Sequence, residues 1–141
     1  MQFLLYLTPV GQEIYQLISK KVKVVENAPI CKKYEIYGWF DSNKKTMTFC
    51  TNKILSKGNV NYDVNETLYH ESGHIAQACR VNFTNIDPLG IQPIFLSSRR
   101  INDVKVAMSI SGSKVRKIEE EAFWLEDKPQ KVVEYLKKYC F

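Results

Sequence analysis

Histidine is nearly absent from this sequence, with two residues in 141. Any site built from three histidines is excluded by count. The four cysteines, Cys31, Cys50, Cys79 and Cys140, form no CxxC couple, which argues against the closely spaced ligand pairs of a structural zinc module. No apolar run approaches the ~20 residues that span a bilayer. The opening FLLYL lacks a basic flank and a small-residue cleavage site, so it reads as neither signal peptide nor anchor. With no secretory signal, the cysteines read as free buried thiols and the protein is expected in the cytoplasm. Arginine does not occur before Arg80, and there are no repeats or low-complexity tracts.

The composition, 45% hydrophobic and 25% charged, is that of one ordinary globular domain over residues 1–141. At this length a chain buries about two-thirds of its unfolded surface. The net charge of +5 is carried by the first sixty residues, which hold nine lysines against four acids. These lysines come as scattered pairs (Lys20 with Lys21, Lys32 with Lys33, Lys44 with Lys45) without an arginine stripe. That is the pattern of a solvated face, and nucleic acid is not an expected partner.

Both histidines lie in one pentapeptide, HESGH, residues 70–74. On a helix His70 and His74 fall at i and i+4, one above the other on a single face, with Glu71 beside them. Two histidines placed at random would show this spacing, with Glu after the first, about once in a thousand. The flanking pattern supplies a helix for the motif. Asp63 with Glu66 reads as a capping box, and Val64, Leu68, Ile75 and Ala78 or Cys79 recur at helical spacing, predicting a helix over about 64–80. Glu71 projects close to this apolar stripe, where a carboxylate needs a partner. Ser72 and Gly73 are small enough to admit a close neighbour.

The remaining pattern predicts an α+β fold. Thr8 and Pro9 start a helix over about 9–20, while VKVV (22–25) is either a short strand or a helix extension. ENAPIC is a turn, and YEIYGWF (34–40) and TMTFC (46–50) read as a hairpin around DSNKK. Residues 51–62 read as a loop. Residues 81–97 read as an irregular crossing with one short strand near 94–96. Ser97 or Ser98 caps a helix to about 110 that turns Ile101, Val104 and Met108 inward. Gly112 and Ser113 stop and restart the chain, giving a helix over about 114–127, and Pro129 begins the last one.

A catalytic zinc takes three protein ligands and keeps one position open. With both histidines used, the third must be a carboxylate or a cysteine. Glu119 lies on the apolar face of its helix, four after Val115 and three before Ala122, while Glu120 and Glu121 turn towards solvent. Glu119 is therefore the expected third ligand.

HESGH followed by EEEA at 119–122 resembles the gluzincin branch of the zinc metallopeptidases, and the chain is similar to compact zincin-like proteins of phages and bacteria. The resemblance implies a minimal zincin-like fold, Zn2+ held by His70, His74 and Glu119, Glu71 as general base, and a peptide or protein substrate. Strand 46–50 is the expected free edge for an extended peptide. The Asp that usually follows E-x-x-A is Phe123 here, which leaves its supporting contact to Glu126 or Asp127. Metzincins are excluded by Gln77 and Arg80. Two alternatives stand beside this reading: a catalytically silent zincin-like binding module, and a peptide-deformylase-like amidase with Cys31 or Cys50 as ligand. Asp103 is a further substitute for Glu119.

Overall fold

Thr8 opens the first helix as its hydroxyl and the following proline dictate. In the computed structural model, which describes residues 1–141, its Oγ1 accepts the N–H of Gly11 at 3.1 Å. Helix α1 then runs Pro9–Ser19, and Ile14 and Ile18 enter the core. The order that follows is β1 (Lys23–Glu26), α2 (Ile30–Lys33), β2 (Gly38–Asp41), β3 (Thr46–Phe49), α3 (Thr51–Lys57), α4 (Val60–Arg80), α5 (Ser98–Ser111), α6 (Arg116–Leu125) and α7 (Pro129–Cys140). The class is α+β, a small mixed sheet beside a set of helices.

The sheet order is β1-β3-β2, with β3 parallel to β1 and antiparallel to β2. Residues 23–26 are thus a strand, and they cover the second side of β3. The expectation of a free edge at 46–50 is overturned, because β3 is central. The unpaired edges belong to β1 and β2, and β2 is shorter than the hairpin arm expected over 34–40. Residues before it are drawn elsewhere: the Lys53 ammonium donates to the carbonyls of Cys31 and Tyr34, holding 31–34 against α3.

Helix α4 is the central element. It starts at Val60, ahead of the predicted Asp63, because Asp63 acts from inside the first turn: its Oδ2 accepts the N–H of Asn59 at 2.8 Å. Val64, Leu68 and Ile75 are fully buried, and truncating a side chain of the Leu68 or Ile75 kind to Ala typically costs about 2–5 kcal/mol. Gly73 faces α6, where an added Cβ would stand 3.2 Å from Leu125 Cδ1. The small residues of HESGH admit a helix. On the opposite side β2 crosses α4 at Gly38, whose added Cβ would lie 2.5 Å from Thr67 Cγ2 and 3.1 Å from Glu71 Cγ.

Several local expectations are corrected. Residues 51–57 form α3 rather than loop. Residues 94–96 carry no strand. Ser97 does cap α5, accepting from Arg100 N at 3.2 Å, but Ile101 is exposed and only Val104 of the inward trio is buried. The helix expected from 114 begins at Arg116, after a 3₁₀ turn. The four cysteines are not free thiols: Cys31 is bonded to Cys50 and Cys79 to Cys140, with Cα–Cα separations of 5.5 and 5.1 Å. The second bridge joins the last turns of α4 and α7, which pack side by side.

Candidate metal centre

His70 and His74 project from α4 towards α6, and Glu119 of α6 meets them. Glu119 Oε1 lies 3.1 Å from the Nε2 of each ring. One ligand atom from each of the three residues falls within a 4.8 Å group. Ligands about 2.1 Å from a tetrahedral zinc stand about 3.4 Å apart along an edge of the tetrahedron. The two imidazole nitrogens and one carboxylate oxygen therefore fit that ion in chemistry and in spacing. Asp103 lines the neighbouring cleft but is not part of the cluster. Cys31 and Cys50, as a disulfide, have no thiolate to offer.

Each ring is also held at its other nitrogen. His70 Nδ1 lies 3.1 Å from Glu126 Oε1, and Arg100 Nε donates to the second oxygen of that carboxylate at 3.0 Å. Of Glu126 and Asp127, Glu126 is thus the one that reaches His70, and the Phe123 ring packs on His70 at a centroid distance of 4.3 Å. Glu126 is seven residues after Glu119, two turns on along the same face, a signal that could have singled it out from Asp127. His74 Nδ1 lies 2.8 Å from Gln77 Oε1. Gln77 in turn bonds Glu121, which is 3% exposed. The expectation that Glu121 faces solvent is therefore wrong. The segment 89–91 covers that side of α6, and its N–H groups bind the carboxylate. Glu120 does face outward, near Arg116.

The electrostatics follow from these contacts. For both histidines burial works against the charged form, but it is outweighed. Glu119, joined by Glu126 at His70, holds the His70 pKa well above its ordinary value and raises that of His74. Burial opposes ionisation of Glu119 as well, yet the two rings hold its carboxyl well below the usual range. Glu71 goes the other way: burial raises its pKa, against the pull of His70 and His74. Burial thus makes the Glu71 carboxylate a better proton acceptor than an exposed one.

The cluster opens into a cleft of about 520 Å3 lined on one side by Tyr37, Gly38 and Trp39 and on the other by Val106, Ile110 and Phe123. Residues 3–141 match the family model described as a domain of unknown function (DUF8637). The chain belongs to the DUF8637 family. No curated protein and no solved structure matches it. In this DUF8637 domain no helix is long and apolar enough to cross a membrane.

Proposed function

We propose that this DUF8637 domain is a zinc-dependent metallopeptidase. The observation that carries the reading is the meeting of Glu119 Oε1 with both histidine Nε2 atoms at 3.1 Å, with Glu71 buried alongside. Zinc held there would supply a Lewis acid towards water and the scissile carbonyl oxygen. Glu71 takes the proton of the attacking water and returns it to the leaving amine. The free edge of β2, which lines the cleft, offers main-chain groups on which an extended peptide can add as a strand. Of the eight tyrosines and of Arg80, Arg99 and Arg100, only Tyr37 lines the cleft. Its hydroxyl is the candidate donor to the oxyanion.

One observation favours the second reading, a zincin-like binding module. Arg99 and Arg100 are committed to Glu66 and Glu126, so the cleft has no free arginine with which to meet developing negative charge. Crystals soaked in Zn2+ and measured on both sides of the zinc absorption edge test the shared premise. An anomalous peak bounded by His70, His74 and Glu119 supports it; a peak elsewhere, or none, removes it. For the compartment, the two disulfides support an oxidising environment over the cytoplasmic expectation, which leaned on the absence of a signal peptide and a membrane span.

A further inference from the structure

Gln77 is fully buried, and every polar atom of its side chain is engaged. Its Nε2 donates to Ile118 O at 3.0 Å and to Glu121 Oε1 at 2.9 Å. An amide nitrogen has two protons, so both are committed. The amide oxygen must then be the atom 2.8 Å from His74 Nδ1. Having no proton, it can only accept, so Nδ1 of His74 is the donor and Nε2 is the nitrogen left to meet Glu119, donating to its carboxylate when protonated and free to offer a lone pair to a metal when that proton leaves. A flipped amide would aim its oxygen at a carbonyl and a carboxylate at once, leaving three acceptors facing one another.

Glu121 enforces this orientation and is itself immobilised. Its Oε1 also accepts from Leu89 N at 2.7 Å, and its Oε2 from Gly90 N at 2.8 Å and Ile91 N at 3.0 Å. Three successive backbone donors and one side-chain amide surround a single buried carboxylate. Neither Gln77 nor Glu121 belongs to the ligand set.

We propose that Gln77 and Glu121 are positioning residues of the metal centre. Glu121, clamped by the 89–91 backbone, fixes the amide of Gln77, and Gln77 fixes the ring tautomer with which His74 presents Nε2. This rests on the metal-centre reading above and extends it to the covering loop, whose hold on Glu121 is thereby a hold on His74.

The test uses the full chain and Zn2+ alone. Zinc affinity is measured by competition with a chromogenic chelator, and the imidazole nitrogens of the loaded protein are assigned by long-range 15N–1H NMR. The wild type shows His74 bound through Nε2 with a slowly exchanging Nδ1–H. Gln77→Met lowers affinity about 10–100-fold, in the range for loss of a ligand's outer partner, and its Nδ1–H exchanges rapidly. Glu121→Gln moves both readouts the same way, whereas Glu120→Gln, at a half-buried neighbour outside this network, moves neither. Unchanged affinity and exchange in Gln77→Met overturn the proposal. So does a wild-type protein that binds zinc through Nδ1 of His74, a result needing no variant to fold. A wild type that binds no zinc overturns the metal-centre reading itself, and is distinguished from the other failures by that fact.

Discussion

Glu126 Oε1 lies 3.1 Å from His70 Nδ1 across 56 residues of sequence, with Arg100 on the far side of the same carboxylate. This contact turns the His70 ring so that Nε2 faces Glu119. Glu126→Ala is expected to weaken zinc binding about 10–100-fold. It also leaves Arg100 half-buried without its main partner, so the denaturation midpoint falls. Glu126→Gln keeps an acceptor for Nδ1–H and should retain most of the affinity. Chelator competition and urea unfolding on the two variants check both points, and equal affinity in wild type and Glu126→Ala would sink the assignment.

The raised pKa values of His70 and His74 set a pH dependence whose sign is fixed. A proton on either ring stabilises the free fold at pH below the unfolded value near 6.5, and that contribution fades as pH climbs through the raised folded value. Zinc needs both Nε2 lone pairs and therefore competes with these protons. Apparent affinity should climb as pH rises from about 6.5, with up to about two protons released per zinc. Isothermal titration in buffers of different ionisation enthalpy counts them; a flat affinity and no proton release would contradict the geometry.

Tyr37 is the only tyrosine of the cleft. If its hydroxyl meets the oxyanion, Tyr37→Phe lowers kcat by about 10–1000-fold with zinc affinity unchanged. A kcat equal to that of the wild type removes Tyr37 from the mechanism.

The cross-links make a separate prediction. Chain-entropy arguments assign about 4 kcal/mol to a closure of the length of Cys79–Cys140, 61 residues apart, and about 3 kcal/mol to one like Cys31–Cys50, 19 apart. Protein denatured without reductant should yield no free thiol, and Cys79→Ser with Cys140→Ser should lower the unfolding free energy by a few kcal/mol. Four titratable thiols in untreated protein would overturn both bridges.

The residues of the centre differ in how far the sequence discloses them. That His70 and His74 stand side by side is legible from spacing alone, because a helix converts i and i+4 into one face. Glu119 was legible from the phase of Val115 and Ala122. Glu121 was not, since the same phase turns it outward; only the fold of residues 89–91 over α6 buries it. Gln77 sits three after His74 on the same face, but a buried amide has no spacing signature. The cysteine pairings were hidden for a similar reason, being set by which helix ends meet. The central place of β3 is not legible in the sequence, because the pairing of residues 23–26 depends on a crossover that local pattern does not show.

Glu71 carries the central claim, and one comparison addresses it most directly. Wild-type protein and Glu71→Gln, both reconstituted with Zn2+, are assayed for bound metal by elemental analysis and for cleavage of a mixed peptide pool by mass spectrometry. The expected result is one zinc per chain in both proteins, new peptide termini with the wild type, and at least a hundredfold fewer with the variant, as befits loss of general-base assistance worth about 10²–10⁴. Zinc bound equally but no cleavage by either protein, or equal cleavage by both, would contradict the assignment of Glu71 as the base of a peptidase.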